Sequence, residues 1–364
     1  MTADAYRIAA FRPEHREGAL AALSGLWPYG RELCARYFDW RYAENPFADR
    51  VLGIVALHAG VPVGFRGYFA GRFRTDDGAE VGVLHPCDTV VLPEHRNRGL
   101  SVRMGELASD FGQAGYRFFI NLTSGRNSRP GYLSLGFQPL GKRVLWQRHG
   151  RNPLAWAVQA WSKRRDRAAS AAARRRIRFG RSGEILVAEA PRPDDMAAII
   201  ASERPDGPAL RMRQDAGFFA WRYRNPVRAY VFYFRMEDGV PRAYAALDVS
   251  PDGRTGSILD YGEARDGALR SVLEHLCACG GFRALTAQGF GIDARLRKIL
   301  GELGFTPVHT TKTLLRRGTV EELAPSVLFR PVASRFDDGD FRVGPLDLRK
   351  PEHWRLKPIC ADGA

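Results

Sequence analysis

The chain has 364 residues, which predicts about two domains at roughly 100 to 200 residues each. Hydrophobic residues make up 45% of the chain and charged residues 26%, a balance that is typical of globular proteins and excludes a disordered or fibrous chain. Fifty-five basic and 40 acidic residues give a net charge of +15, which favours an anionic partner: nucleic acid, a membrane surface, an acidic protein or a phosphorylated cofactor.

The cysteines and the hydropathy pattern exclude several further classes. The five cysteines are odd in number and never form a C-x-x-C pair, so neither a disulfide framework nor a metal site is expected. No apolar run approaches the roughly 18 residues that a membrane-spanning helix needs, and the first residues do not resemble a secretion signal. We therefore expect a cytoplasmic protein.

An internal repeat organises the chain. Residues 6–26 predict a strand, a turn and an amphipathic helix, and residues 184–202 repeat this pattern at an offset of 180. A W-R-Y segment occurs in both copies, at Trp40 and at Trp221, and a Leu-Gly-Phe sequence recurs at an offset of 168. Two copies of one fold, with about twelve residues lost from the second, explain these matches.

The predicted elements follow the same order in each copy. A strand and a helix precede the W-R-Y segment, which is followed by a hairpin and by a strand that leads into a helix. A further strand, a short helix that ends at Gly-Phe and a last strand complete each copy. For the two copies the second helix is predicted at 100–113 and 268–279, and the strand after it at 117–122 and 283–287. This order predicts an α+β fold with a mixed, mostly antiparallel twisted sheet flanked by helices in each copy.

These elements place the domains at 1–150 and 184–320, with a C-terminal extension at 321–364 that is expected to pack on the second copy. The linker, 151–183, is strongly basic, since residues 151–178 carry nine Lys or Arg and one Asp. Leu154, Val158 and Trp161 give it one apolar helical face. Two interpretations remain open: a linker helix with a solvated basic face, or a surface for an anionic membrane or an acidic partner.

Residues 90–101 carry the clearest chemical signal. An apolar strand ends at a proline, and a polar loop then leads into a helix whose first turn contains Gly99. The main-chain N–H groups at such a helix start are free and the helix dipole favours an anion there. Arg96 and Arg98 add charged donors, and Gly99 lets a ligand approach the backbone. The segment therefore predicts a pyrophosphate cradle.

The pattern Arg96-x-x-Gly99-x-Ser101 resembles the acyl-CoA loop of the GNAT N-acetyltransferases, which is R/Q-x-x-G-x-G/A. Ser101 departs from this pattern but is small. Residues 127–137 resemble a later motif of the same family, in which a tyrosine, here Tyr132, precedes Gly-Phe by four residues. The order of strands and helices between the two motifs is also that of the family. With the second copy counted, the resemblance covers nearly all of the chain.

The resemblance implies a tandem GNAT protein that transfers an acetyl or other acyl group from acyl-CoA to a primary amine. It implies that Tyr132 protonates the departing thiolate and that a main-chain N–H at Val91 helps to hold the thioester carbonyl. Asp88 and His85, on the same strand, are the two candidates for the base that deprotonates the amine. The residues expected to bind the cofactor are Val91, Arg96, Asn97, Arg98, Gly99, Leu100, Ser101 and Asn127.

The second copy is expected to have lost catalysis. When the two Gly-Phe sequences are aligned, Gly99 corresponds to Gly267 and Arg98 to Asp266, which places a repulsive charge beside a pyrophosphate. The same alignment places Leu300 opposite Tyr132. Asp260 lies near the position of Asp88, so part of an acceptor site could survive.

The acceptor and the donor class stay open at this point. The acceptor is expected to be a small molecule, such as an amino sugar, an amino acid or a biosynthetic intermediate. The alternatives are a transferase that uses an acyl carrier protein or aminoacyl-tRNA as donor, or a non-catalytic protein that binds CoA or a partner. Nucleic acid is otherwise not an expected partner, and a peripheral association with a membrane rests on the basic segment alone.

Overall fold

The computed structural model describes residues 5–125, 128–149, 177–203, 207–279, 281–290, 294–307 and 326–360. Asn127 and residues 151–176 of the basic segment lie outside these ranges, so the predictions made for them stay predictions.

The first copy contains four helices and seven strands within its described residues. Its helices are α1 Arg16–Leu23, α2 Arg31–Phe38, α3 Leu100–Leu107 and α4 Arg129–Ser134. Its strands are β1 Tyr6–Ala10, β2 Gly53–His58, β3 Val61–Arg74, β4 Glu80–Val91, β5 Tyr116–Ser124, β6 Gln138–Lys142 and β7 Val144–His149.

The second copy and the C-terminal extension supply the remaining elements. The helices are α5 Pro193–Ser202, α6 Ala216–Arg222, α7 Ala268–Cys279 and α8 Ala294–Glu302. The strands are β8 Gly180–Ser182, β9 Ile185–Ala188, β10 Leu210–Met212, β11 Tyr230–Glu237, β12 Val240–Val249, β13 Thr255–Glu263, β14 Ala284–Gly289 and β15 Thr306–Pro307. The extension adds β16 Ser326–Pro331, β17 Arg342–Val343, β18 Leu346–Asp347 and β19 Trp354–Arg355.

The predicted helices differ between the copies in how far they extend. Helix α7 covers the predicted range, whereas α3 ends at Leu107 and continues as a 3-10 helix over Ala108–Ala114. Gly112 and Gly115 lie in or next to this stretch, and glycine lowers the stability of a regular helix.

Two mixed sheets form the framework, which confirms the predicted α+β fold. The strand order is β1-β2-β3-β4-β5-β16-β6 in the first sheet and β15-β7-β14-β13-β12-β11-β9-β8 in the second. The β4–β5 and β13–β14 pairs are parallel, and their neighbours are antiparallel. A hydrophobic core of buried side chains runs from the first sheet to α5 and α6, so the two copies share it.

The two copies exchange one strand each. β7 follows β6 in the chain after Arg143, but it lies in the second sheet between β14 and β15. β16 follows the second copy, but it lies in the first sheet between β5 and β6. The expectation that the C-terminal extension packs on the second copy is therefore wrong for β16. Because each inserted strand pairs on both edges, neither sheet is complete without the other half of the chain.

The W-R-Y segments meet at the contact between the copies. The indole rings of Trp40 and Trp221 stack with centroids 5.6 Å apart. Each indole N–H donates a hydrogen bond to the backbone carbonyl of the other tryptophan, over 3.0 and 2.8 Å. Both side chains are buried. The repeated motif therefore joins the two copies through a reciprocal contact.

We expect Trp221→Ala to lower the free energy of unfolding by about 3–5 kcal/mol, because it removes a buried indole together with its stack and its hydrogen bond. Urea denaturation followed by circular dichroism measures this loss. The control Val240→Ala removes an exposed side chain on β12 and should change the free energy by less than about 0.5 kcal/mol. A similar small loss for both variants would contradict the structural role of the tryptophan pair.

Candidate functional site

The first sheet opens between β4 and β5. The two strands pair only where Gly82–Leu84 faces Tyr116–Phe119, although β4 continues to Val91 and β5 to Ser124. Beyond this point β4 stays paired with β3, and β5 stays paired with β16. The two strands therefore separate and leave a wedge, and the backbone groups on its facing edges lack a strand partner.

A β-bulge lies on β4 at this wedge. Gly67 pairs with Cys87 and Phe65 pairs with Val90, so that Arg66 stands opposite two residues, Asp88 and Thr89. Asp88 adopts a left-handed backbone conformation with φ 44°. Such a bulge bends the strand and changes the direction in which the following backbone groups point.

The side chain of Asp88 is held by three neighbours. Trp27 donates its indole N–H to Oδ1 over 3.2 Å, and Tyr42 donates its hydroxyl to Oδ2 over 2.7 Å. Arg41 forms an ion pair with the same oxygen at 2.7 Å, and the Asp88 side chain is 13% exposed. These contacts offset the strain of the left-handed conformation and fix the bulge.

The loop after β4 leads into the start of α3. Asn97 and Gly99 have positive φ values of 61° and 69°, and a side chain at Gly99 would meet no atom within 4 Å. The N–H groups of Val102 and Arg103 donate to the Gly99 carbonyl. Those of Leu100 and Ser101 have no acceptor among the described residues. The loop therefore presents free donors to an open space.

The two loop arginines are exposed. The Nε of Arg96 donates to the Val91 carbonyl over 2.9 Å, and the guanidinium of Arg98 lies 5.5 Å from the centre of the Tyr6 ring. The structure thus brings Val91, Arg96 and Arg98 to the same end of the wedge as the start of α3.

Tyr132 lies in α4, and Gly136, with φ 80°, follows the end of this helix by two residues. Its buried ring packs edge-on against Phe137 with centroids 5.0 Å apart. The guanidinium of Arg66 lies 5.1 Å from the centre of the Tyr132 ring and donates through Nη1 to the Ser101 carbonyl over 3.1 Å. Arg66 therefore connects Tyr132 to the first turn of α3.

His85 is placed differently from the other predicted residues. It is 2% exposed, its ring packs near those of Phe69 and Phe73, and neither ring nitrogen has a hydrogen-bond partner among the residues that the structure describes. Burial, reinforced by the charges of Arg222 and Arg41, lowers the pKa of His85 to about 3. The imidazole is therefore neutral and enclosed where the two copies meet.

The second sheet opens in the same way. β13 and β14 pair over Thr255–Ile258 and Ala284–Ala287 only, and both strands continue beyond this pairing. A cavity of about 540 Å³ lies here, lined by residues of β13, α5, α7, α8 and the C-terminal extension. Gly267, with φ 87°, precedes α7 as Gly99 precedes α3.

The second wedge holds its own acidic groups at the helix start. The loop between β13 and α7 has only residues 264–267, whereas the loop before α3 has residues 92–99. Oε2 of Glu263 accepts a hydrogen bond from the N–H of Leu269 over 3.1 Å. Arg295 forms ion pairs with Glu263 and Asp266, at 2.9 and 2.8 Å. A carboxylate of the chain thus occupies the anion position of this helix.

Asp260 is the buried acid of the second wedge and is fully enclosed. Burial raises its pKa, while hydrogen bonds from Tyr244 and Gln214 and the charge of Lys357 oppose that shift. Lys357, from the C-terminal extension, lies 3.9 Å from Asp260 and 3.3 Å from Glu203. Its ammonium also donates to the Tyr261 carbonyl over 2.6 Å. The end of the chain therefore reaches into the second wedge.

Sequence analysis did not identify Arg66, Arg330 and Arg41 as parts of the site. Arg66 and Arg330 stand in strands whose other residues are almost all buried, and an arginine in such a run is a signal of a special environment. Arg41 lies in the W-R-Y segment, which was predicted either to serve packing or to form a wall of the acceptor pocket.

Comparisons with known proteins support the fold. A GCN5-related N-acetyltransferase from Anabaena variabilis ATCC 29413 superposes with a TM-score of 0.58 and 12% identity, over 90% of this chain and 73% of that one. Eis1 from Mycobacterium abscessus superposes with a TM-score of 0.53 and 15% identity, over 90% of this chain and 73% of that one. A tandem GNAT protein from the clavulanic acid biosynthesis pathway superposes with a TM-score of 0.51 and 12% identity, over 91% of this chain and 100% of that one.

The chain has the tandem GNAT fold. No protein-family model matches the sequence, and no curated protein is similar to it. The similarity to the solved structures lies in the arrangement of strands and helices, at identities of 15% or less for the three structures named above.

The described residues contain neither a cluster of metal-ligating side chains nor a helix able to span a membrane. No group of three or more His, Cys, Asp or Glu side chains in the described ranges is arranged to hold a metal ion. None of the helices described for this chain has both the length and the apolar character that crossing a membrane requires.

We expect the stability of the protein to fall by about 2 kcal/mol between pH 7 and pH 5 through His85 alone. The folded pKa of about 3 lies below the value of 6.5 for an exposed histidine, so in this range only the unfolded state takes up the proton. Urea denaturation of the wild type and of His85→Leu at both pH values measures the difference.

His85→Leu should remove about 2 kcal/mol of this pH dependence, whereas the control His353→Gln, on the C-terminal extension, should leave it intact. An unchanged pH dependence in His85→Leu would contradict the placement of a neutral, buried imidazole.

Proposed function

We propose that the first copy transfers an acyl group from acyl-CoA, with acetyl-CoA as the simplest donor, to a primary amine of a small molecule. The observation that carries this proposal is the first wedge, where unpaired backbone groups of β4 and β5 adjoin a helix start with free N–H groups and Tyr132 lies on α4. Each part of that arrangement matches one requirement of acyl transfer from a thioester.

The pyrophosphate of CoA is assigned to the loop before α3. The N–H groups of Leu100 and Ser101 are free to donate, and the helix dipole favours an anion at this position. The exposed guanidiniums of Arg96 and Arg98 can turn toward the same phosphates. Asn97 contributes to the turn through its positive φ, and Asn127 stays a predicted contact.

The thioester is assigned to the wedge between β4 and β5. Beyond the bulge, a main-chain N–H near Val91 can donate to the thioester carbonyl, and this contact strengthens as the oxygen becomes an oxyanion. Tyr132 then gives its phenolic proton to the departing thiolate. The reaction forms the amide bond and releases CoA as a free thiol.

Removal of the amine proton is assigned to Asp88. Each carboxylate oxygen has two lone pairs, and Oδ1 accepts only from Trp27 among the described residues. A second acceptor position therefore remains for the amine or for a bridging water. His85 has no role in this mechanism, because it is enclosed away from solvent and stays neutral.

The second copy is assigned a structural role. Its shorter loop has no arginine at the positions that correspond to Arg96 and Arg98, Glu263 occupies the helix start, and Leu300 stands at the position that corresponds to Tyr132. A pyrophosphate at this site would have to displace a carboxylate and face Asp266. The basic segment 151–178 stays a prediction, either as a linker or as a surface for an acidic carrier protein or an anionic membrane.

We expect Gly99→Val to weaken CoA binding at least tenfold, because a β-branched residue is strained at φ 69° and the loop must change its conformation. Isothermal titration calorimetry with CoA measures the affinity. The matched control is Gly267→Val, which places the same residue at φ 87° in the equivalent loop of the second copy and should leave CoA binding unchanged. Equal affinities in both variants would contradict the assignment of the cradle.

We expect Tyr132→Phe to lower kcat about 100-fold or more, with a smaller effect on the KM for acyl-CoA, because it removes a proton donor that acts in the transition state. Release of the CoA thiol in the presence of an acceptor measures the rate. The acceptor is first identified by mass spectrometry of the products formed from acetyl-CoA and a panel of primary amines. Kinetics equal to the wild type would remove Tyr132 from the mechanism.

A further inference from the structure

Two buried arginines lie near Tyr132 and its neighbour Phe137. Arg66 lies on β3 and is 5% exposed, and Arg330 lies on β16 and is 6% exposed. No carboxylate in the described ranges forms an ion pair with either one, and neither Nε has a hydrogen-bond partner there. A buried charge without a counterion is costly, so the surroundings must stabilise it in another way.

Aromatic rings surround both guanidiniums. Arg66 lies 5.1 Å from the centre of the Tyr132 ring and 5.8 Å from that of Tyr68. Arg330 lies 5.2 Å from the centre of the Phe119 ring and 5.6 Å from that of Phe137, which itself packs on Tyr132. Positive charge therefore lies directly over the Tyr132 ring and behind its partner Phe137.

The pKa shifts of this group agree with that arrangement. Burial lowers the pKa of Arg66, but the attraction of Tyr68 and Tyr132 outweighs it and the net shift is upward. Burial raises the pKa of Tyr68 to about 12, although Arg66 and Arg330 oppose the rise, so Tyr68 stays protonated. Burial lowers the pKa of Arg330, and the charge of Arg66 lowers it further.

We propose that Arg66 and Arg330 are positioning residues that hold positive charge at Tyr132 and thereby make its hydroxyl a stronger acid. The interaction is reciprocal: the attraction that stabilises charged Arg66 beside an ionised Tyr132 stabilises the phenolate of Tyr132 by the same amount. The charged or titratable groups that interact with Tyr132 include Arg66 and Tyr68, and Arg330 in turn interacts with both of these.

This inference rests on the proposed function for its chemical meaning. An ordinary phenol, with a pKa of about 10, is a weaker acid than the thiol that it must form, whose pKa is about 8.5. In the proposed step the O–H bond of Tyr132 breaks, an S–H bond forms on the departing CoA, and a phenolate remains. The two guanidiniums stabilise that phenolate until it takes a proton from solvent.

Arg330 also links this site to the exchanged strand. It lies on β16, which follows the second copy in the chain and inserts between β5 and β6. The first wedge thus receives part of its charge from the C-terminal extension.

The test is a pH titration of Tyr132 by NMR in the full chain labelled with 13Cζ-tyrosine, with Tyr132→Phe used to assign the signal. The wild-type midpoint of Tyr132 is the reference against which the variants are compared. Arg66→Met should raise that midpoint by about one pH unit or more, Arg330→Met should raise it less, and Arg66→Lys should restore most of the wild-type value. If Arg66→Met does not fold, the comparison of Arg330→Met with Arg330→Lys decides the proposal.

The matched control is Arg72→Met. Arg72 lies on the same strand, 5.3 Å from the centre of the Tyr116 ring, so this variant should move the midpoint of Tyr116 and leave that of Tyr132 in place. A Tyr132 midpoint that stays within about 0.3 pH unit in the folded Arg→Met variants would overturn the proposal.

The titration requires neither CoA nor an acceptor, so the two proposals can fail separately. A shifted midpoint in a chain that transfers no acyl group would reject the proposed function alone. Acyl transfer with an unmoved midpoint would reject the role of the arginines alone. If both hold, the alkaline limb of the kcat profile should move to higher pH in Arg66→Met, which a purely structural loss would not produce.

Discussion

The reciprocal exchange of β7 and β16 is the constraint on which the rest of the structure depends. Each strand fills a gap in the sheet formed mainly by the other half of the chain, and it pairs on both edges. In the first sheet this pairing holds β5 on the side away from β4, so that β4 and β5 can separate without leaving β5 at an edge. The stacked pair of Trp40 and Trp221 joins the copies at a second place. The formation of the wedge therefore depends on both halves of the chain.

The two wedges share a backbone arrangement and differ in the charges that occupy it. In the first, the start of α3 offers free N–H groups and two exposed arginines. In the second, Glu263 fills the equivalent position at α7, and Lys357 extends from the end of the chain to Asp260. A helix start that already holds a carboxylate gains little from a phosphate, because one anion must leave before the other can bind. This difference explains how one fold can serve as a site in one copy and as support in the other.

The sequence predicted the features that depend on local patterns. The repeat, the α+β order, helix α7 and the glycine turn before α3 follow from spacing, hydrophobic periodicity and glycine. The strand exchange was not predictable. The sequence of Val144–His149 has the pattern of a last strand of its own copy, and this pattern does not indicate which strand it pairs with. The W-R-Y segment was predicted either to serve packing or to form a wall of the acceptor pocket, and its reciprocal contact could not be predicted because it requires both copies in space.

The residues of the candidate site also differ in whether local sequence patterns or the tertiary structure reveal them. Gly99 and Tyr132 were predicted from the resemblance to the GNAT motifs and Asp88 from its place on the strand, whereas Arg66 and Arg330 come from strands that are far apart in sequence and meet only in the folded sheet. His85 shows the opposite case: its distance along the strand suggested a base, but the pleat and the second copy enclose it. Burial is a tertiary property, and spacing along one strand does not reveal it.

The most direct test of the account is a crystal structure of the full chain soaked with excess coenzyme A. The account predicts one CoA per chain, with its pyrophosphate at the N–H groups of Leu100 and Ser101 and its sulfur beside Tyr132, while Glu263 still caps α7. Coenzyme A bound at Gly267, or a first wedge that stays empty at saturating concentration, would contradict it.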